Sequence, residues 1–277
     1  MVAMILNLGL DIIFVVHCHA GISGTAAATV ISQLFAALVC LVYMKRNYSC
    51  LLFGRRDIGF DSRLLLKTAN FGVVSALHQS NLYIGKLLVQ GAVNTAGTEI
   101  ISAYTTTMRI EGFAGSFGDS GCAAVSVFIA QNKGAGEEER VRQGFRKSMA
   151  LMIMLSICLS VLMVLLTPFA ADWLMGDVSA VAAENVEMYM RVISVFYVLN
   201  FIGSAFVGLY RGLGMVYVPV AGTVLHISIR VILSYLLIGK IGLAAVAVAT
   251  GAGWVAVVIF QIFVFVFTLV KHNTSIG

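Results

Sequence analysis

The sequence predicts an all-α membrane protein of about eight transmembrane helices, and three observations carry that prediction. Of its 277 residues, 60% are hydrophobic and only 11% are charged, whereas a soluble domain carries roughly 25% charged residues. Charge is absent from Ile12 to Met44, Ser148 to Ala171, Val192 to Tyr210 and Ile241 to Val270, and a span needs only about 20 mostly apolar residues to cross roughly 30 Å of hydrocarbon. The third observation is that most of the Lys and Arg fall in alternate connections, as the positive-inside rule requires.

The run from Ile12 to Met44 is too long for one helix. His17-Cys18-His19-Ala20-Gly21 breaks it, so helices are placed at about 1–16 and 21–44. A basic connection with Lys45, Arg46, Arg55, Arg56, Arg63 and Lys67 follows. The third helix runs from about 64 to 92 and turns at Asn94-Thr95-Ala96-Gly97, a Gly/Asn turn signature. The fourth covers about 98–130 and ends at the polar stretch Gln131 to Gly136, which continues through Glu137 to Lys147 as a loop. Helices at about 146–173, 185–210, 215–239 and 241–270 complete the eight. Connections 45–67 and 131–147, with Arg211 and Lys271, hold most of the 18 basic residues. Glu99, Asp172, Asp177 and Glu184 collect on the other side with Lys240. This alternation places the basic loops and the C-terminus in the cytoplasm.

The first residues lack the basic start and small-residue cleavage site of a signal peptide, and Asp11 interrupts them. The chain starts within a membrane segment, which predicts an N-terminally truncated reading frame. The five cysteines are scattered without a CxxC pair and read as small core hydrophobes, and only Cys18, between His17 and His19, has a metal-ligand neighbour. The net charge of +5 follows from cytoplasmic Lys and Arg and calls for no nucleic-acid partner. An internal repeat is visible: Asn7 to Ile13 resembles His226 to Ile232, and the Gly21, Gly24, Ala26, Ala27 pattern resembles Gly239, Gly242, Ala244, Ala245, one residue out of register. Such repeats are common in secondary transporters.

Four stretches together resemble the multidrug and toxic compound extrusion (MATE) family: Asn7 to Phe14, Gly21 to Gln33, Ala130 to Gly136 with Arg140, and Arg211-Gly212-Leu213-Gly214. Gln131-Asn132-Lys133-Gly134-Ala135-Gly136, with Arg140 four residues beyond, is the most specific. The family is built from two six-helix lobes. The resemblance makes residues 1–44 the last two helices of an N-terminal lobe, 45–63 a cytoplasmic linker and 64–271 a six-helix C-terminal lobe. It implies a multi-pass antiporter of the bacterial inner membrane, exporting amphipathic, often cationic organic compounds in exchange for Na+ or H+. It implies no further cofactor, and its partners are lipid, a small organic solute and the four preceding helices of the same protein. On that reading the chain alone does not transport. The sequence departs from the pattern twice: the family's N-terminal coupling carboxylate lies in its first helix, which this chain does not include, and Gln79 stands where one branch has Glu while no acid lies between Val192 and Tyr210, where that branch has Asp.

Ionisable groups in a membrane core cost about 2.5–3.5 kcal/mol each on insertion scales, which makes each a functional candidate. Glu111, Asp119 and Lys86 are the candidates for ion coupling. Gln79, Asn81, Tyr83, Tyr104, Arg109 and Arg230 are the candidates for a solute cavity. At a rise of about 1.5 Å per residue, Lys86 lies ~15 Å from the turn near Ala96, Asn81, Arg109 and Glu111 at roughly 20–23 Å and Asp119 at about 34 Å. Glu111 is either the carboxylate that carries the coupling ion or half of an ion pair with Lys86 or Arg109. Asp119 reads as a solvated interfacial group, while Asp11 and Arg230 occupy equivalent repeat positions suited to packing. His78 reads as a hydrogen-bonded packing residue. No Gly-Lys-Ser/Thr follows the Gly134 turn, which excludes a phosphate-binding loop and ATP-driven pumping by this chain. Nor does any Ser/His or paired-Asp set converge as an intramembrane enzyme would require. Two alternatives stay open: a lipid-linked saccharide flippase of related architecture, for which Lys86, Arg109 and Arg230 supply few cations, and a non-functional fragment.

Overall fold

The computed structural model describes residues 2–48, 59–175 and 180–274. Among them the chain forms eight α-helices and no strand. These are α1 (Val2–Ile12), α2 (Gly21–Asn47), α3 (Ser62–Asn94), α4 (Thr98–Gly134), α5 (Glu138–Met175), α6 (Ala180–Gly212), α7 (Tyr217–Ile241) and α8 (Ala244–Thr274). Six of them, α2 and α4 to α8, are long and apolar enough to cross a membrane. The polar residues Lys67, His78, Gln79, Asn81 and Lys86 lower the hydropathy of α3, and α1 with its following turn is short. The surface agrees with a lipid solvent: Ile22 is 90% exposed and Phe113 71%, a cost that water exacts and hydrocarbon does not. This is a multi-pass membrane protein.

The chain divides into two compact units, Met1–Leu65 and Leu66–Gly277. In the first, α1 ends in a π-helical turn at Ile13–His17, where Cys18 N donates to Ile13 O at 3.0 Å and Ala20 N to Phe14 O at 2.9 Å. The next helix then packs closely, since a methyl group at Gly24 would lie 2.9 Å from Phe14 Cβ. The predicted basic connection from Lys45 to Lys67 is helical at both ends, and its residues 49–58, including Arg55 and Arg56, lie outside the described residues, as does Asp177. Asp61 caps α3, its Oδ1 accepting from Arg63 N at 2.8 Å and Leu64 N at 3.1 Å.

In the second unit the core is centred on α6, whose Val186, Tyr189, Ile193, Tyr197, Phe201 and Ala205 are buried. The α4–α6 contact is backbone to backbone. A methyl group at Gly208 would lie 2.7 Å from Cys122 O, and one at Gly212 2.7 Å from Ile129 Cβ and 2.8 Å from Ser126 O. Small residues four apart are how membrane helices approach closely where hydrocarbon offers no hydrophobic drive. On another side of the unit, Ile227 and Tyr235 of α7 reach Gly85 and Gly91 of α3, and Tyr217 donates to Asn70 at 3.0 Å.

The largest departure from the sequence-based boundaries concerns residues 131–147. They are not one polar loop: α4 continues to Gly134, and α5 starts at Glu138. Glu, Arg, Gln and Lys are good helix formers, so a hydrophilic stretch outside the bilayer stays helical. Only the turn between them is irregular. Gly136 takes φ 77°, the left-handed value that ends many helices, with Glu137 N donating to Asn132 O at 2.9 Å. The most specific motif of the sequence is therefore a helix stop, held also by the Lys133–Glu138 ion pair. Of the cysteines, Cys122 is buried but Cys18, Cys40 and Cys158 are exposed. A lipid-facing position is as apolar as a core one, so composition did not separate the two.

Candidate solute cavity and the buried polar cluster

A cavity of about 580 Å³ opens between α3, α4, α6, α7 and α8. Helical period explains its lining. From α3 come His78, Gln79, Leu82, Tyr83 and Lys86, from α7 Pro219, Gly222, Thr223 and His226, and from α8 Trp254, Val257, Val258 and Gln261. Residues three, four and seven apart share one helix face, so each helix contributes a single stripe. The fourth helix adds Asp119 and Cys122, and α6 adds Asn200, Ser204 and Arg211 among others.

Several of these side chains are held in place. Arg211 Nη2 and His78 Nδ1 are 3.2 Å apart, an arrangement in which the guanidinium donates and the imidazole accepts. Lys86 Nζ lies 5.5 Å from the Tyr83 ring centre, a cation–π contact. His226 stacks on Trp254 with ring centres 6.3 Å apart and planes 4° from parallel. The His226 ring also lies against α8 where Gly253 has no side chain: a methyl group there would come within 2.4 Å of it. Tyr210 donates to the backbone oxygen of Gln261 at 2.6 Å. Gln261 is 1% exposed, yet its Oε1 and Nε2 have no hydrogen-bond partner among the described residues. Buried amides are normally satisfied.

A second polar group lies apart from the cavity lining. Tyr189 donates to Glu111 Oε1 at 3.0 Å, and Tyr197 donates to the Glu111 backbone oxygen at 3.2 Å. Arg230, 9% exposed, is within electrostatic reach of Glu111, Tyr104 and Tyr189, though no direct salt bridge joins it to Glu111 among the described residues. Tyr104 Oη and Arg230 Nε and Nη2 are buried facing each other.

The structure thus divides the sequence-predicted residues. Lys86, Asp119, Gln79 and Tyr83 line the cavity. Half-buried Glu111 forms the second cluster with buried Tyr104 and Arg230, and half-buried Asn81 does not line the cavity. Arg109 is exposed and belongs to neither. It matches Glu111 in depth, but two residues apart on a helix point to opposite sides, so the anticipated Glu111–Arg109 pair does not form. Sequence reasoning missed Arg211 as a cavity residue, together with His226, Asn200, Trp254 and Gln261. Arg211 lies within α6 and not in a loop, and its stripe with Gly203, Ser204 and Val207 follows the helical period. Among the described residues no group of three His, Cys, Asp or Glu is placed to hold a metal ion.

Known proteins resemble this chain across most of its length. The MatE family model matches residues 75–236. The chain is 32% identical over 129 residues to the probable multidrug resistance protein YoeA of Bacillus subtilis, covering 46% of this chain and 28% of that protein. With the probable multidrug resistance protein YpnP of the same organism it shares 26% identity over 215 residues, 76% of this chain and 47% of that one. These matches therefore span less than half the length of either relative. In fold, the chain is similar to an outward-facing multidrug resistance MATE family transporter of the MOP superfamily, with a TM-score of 0.88 at 20% identity, over 99% of this chain and 62% of that one.

Proposed function

The chain belongs to the MatE family, and from that membership we propose that it serves in a secondary active transporter that exports amphipathic organic compounds in exchange for Na+ or H+. In this reading residues 1–44 supply two helices of an N-terminal lobe and residues 64–271 the C-terminal lobe. The partners are lipid, the solute and further helices of the same protein. The protein sits in a bacterial inner membrane with its C-terminus in the cytoplasm, as the distribution of Lys and Arg favours.

One observation carries the proposal: a cavity of about 580 Å³ inside a membrane bundle is lined by apolar surface, aromatic rings and polar groups together. Sites for small molecules have that composition. Asp119 lines the cavity and has no ion-pair partner among the described residues. It is the carboxylate at which Na+, a proton or the cationic end of a solute exchange. Glu111 suits that task less well, since Arg230 stands within electrostatic reach of it and opposes a second cation. Glu111 instead ties α4 to α6 through Tyr189 and Tyr197.

The test uses the whole chain in lipid nanodiscs with Trp173→Phe, which leaves Trp254 as the sole tryptophan. Energy transfer from Trp254 to pyrenebutylamine reports binding. Saturable binding that weakens as Na+ or acidity rises supports exchange at the cavity. Absence of saturable binding at every Na+ concentration and pH overturns it.

A lipid-linked saccharide flippase is the second reading, supported by Lys86 and Arg211 on the cavity wall. Displacement of the probe by a prenyl pyrophosphate, with no response to Na+ or acid, favours it.

A further inference from the structure

We propose that the cavity contains an anion subsite, formed by Arg211 and Gln261, that binds a carboxylate or phosphate-type group of the solute. This deepens the transport reading and rests on it. The expected solute then carries an anionic pole, alone or with a cationic one, rather than a cation only.

Three independent features converge on the subsite. The first is charge. Lys86 and Arg211 both line the cavity, and among the described residues the only salt bridges are Lys133–Glu138 and Arg191–Glu187. Two permanent cations therefore face the cavity without a carboxylate in direct contact, against one acid, Asp119. A low-dielectric wall strengthens the field of each.

The second is preorganisation. His78 is buried, and its Nδ1 faces Arg211 Nη2 at 3.2 Å, which fixes one arm of the guanidinium. An Arg so held has its remaining N–H groups in the planar fork that matches carboxylate and phosphate oxygens. His78 is here a positioning residue, acting through Arg211.

The third is an unmet hydrogen-bond requirement. Gln261 is nine-tenths buried or more, faces the cavity and leaves both side-chain atoms unpartnered. The Gln261 side-chain oxygen stands 3.6 Å from the Cβ position of Gly203, on the α6 stripe Gly203, Ser204, Val207 and Arg211 that lines the cavity, and the Tyr210 hydroxyl holds the Gln261 backbone at 2.6 Å. An oxyanion held by the guanidinium accepts from Gln261 Nε2, and Oε1 is left to take a donor from the solute. Lys86 lies two helical turns from His78 along α3, about 12 Å, and acts as a second, more distant attraction. Asp119 is left for a cationic group: it and Arg211 are both within electrostatic reach of Cys122 without pairing with each other.

The experiment compares pyrenebutyrate with pyrenebutanol, which share one apolar body and differ in head charge, using Trp254 energy transfer in the same single-tryptophan nanodiscs. Pyrenebutyrate is expected to bind roughly tenfold tighter or more, the value of one charge-assisted hydrogen bond. Arg211→Met is expected to abolish that preference, and Gln261→Leu to reduce it. His78→Gln, which retains an acceptor for the guanidinium, is expected to keep most of it, and His78→Leu to lose it. Equal affinity of the two probes for the unsubstituted chain overturns the inference without reference to any variant. So does an undiminished preference in a folded Arg211→Met chain. Either result, with pyrenebutylamine still binding and competing with Na+ or acid, leaves the transport reading in place. Failure of all three probes to bind overturns both. Competition by hexanoate or by a prenyl pyrophosphate identifies whether the anion comes from a free solute or a lipid, and displacement by either supports the subsite.

Discussion

Tyr189 on α6 donates its hydroxyl hydrogen to Glu111 on α4 across 3.0 Å, joining residues 78 positions apart in sequence at the centre of the bundle. Tyr197, two turns further along the same helix, reaches the backbone oxygen of the same residue at 3.2 Å. The two bonds look alike but differ in their acceptor, one a carboxylate and the other a carbonyl already placed within a helix. Tyr189→Phe is expected to cost about 2 kcal/mol and Tyr197→Phe about 1 kcal/mol, because hydrogen bonds to charged groups are worth more. Reversible unfolding of the chain in mixed micelles measures both, and equal losses contradict the assignment.

The α4–α6 seam gives a second prediction. Gly208→Ala places a methyl group 2.7 Å from Cys122 O, a backbone atom that cannot rotate away. Overpacking of this kind costs about 1–3 kcal/mol. Gly118→Ala is the control, since its nearest neighbours, Phe201 and Ser204, stand 3.6 Å away. It is expected to change stability by less than about 0.5 kcal/mol. Thermal unfolding of the two variants in one detergent separates them.

Asp119 and Glu111 are expected to behave oppositely when neutralised. Asp119→Asn leaves the fold intact and removes the dependence of pyrenebutylamine binding on Na+ or pH. Glu111→Gln retains that dependence and costs about 2 kcal/mol in stability, because Arg230 then keeps a buried charge with no counter-charge nearby. Titrations of both variants against Na+ and pH, paired with their unfolding midpoints, decide the matter. Loss of ion dependence in Glu111→Gln alone reverses the two roles.

Gly253 supplies a prediction about cavity shape. Alanine there meets the His226 ring at 2.4 Å and the His226 backbone oxygen at 3.2 Å, so the ring must leave its stack on Trp254 and swing toward the cavity. Probe affinity is expected to fall several-fold, with a stability loss of only about 1 kcal/mol. Trp254 emission reports the unstacking directly, and an unchanged spectrum with unchanged affinity refutes it.

The membrane class, the helical content and the order of the elements were legible in the sequence, because length and apolarity are summed along a span and tolerate local error. The site was legible only in part. Depth along a helix can be counted from a turn, and Lys86, Gln79, Tyr83 and Asp119 were found among the ionisable and polar candidates. Azimuth is harder: Arg109 and Glu111 share a depth but face different surroundings, and nothing short of packing tells which stripe of α4 turns inward. Arg211 escaped notice because it sits at a helix end, where a cation has the ordinary explanation of an interfacial anchor. Gln261 escaped because an uncharged amide in an apolar run leaves no mark on charge counts. The extent of α4 and α5 was misjudged for the opposite reason, since polarity was read as irregularity.

Gly208 and Gly212 make α4 and α6 into a single beam, because neither helix can slide without driving main chain into main chain. On the other side of the cavity, α3 meets its neighbours through the side chains of Ile227, Tyr235 and Tyr217 and through the His78–Arg211 contact. The cavity therefore has two unlike walls: Asp119 and Asn200 stand on the fused pair of helices, whereas Gln79, Tyr83 and Lys86 stand on a helix held through side chains.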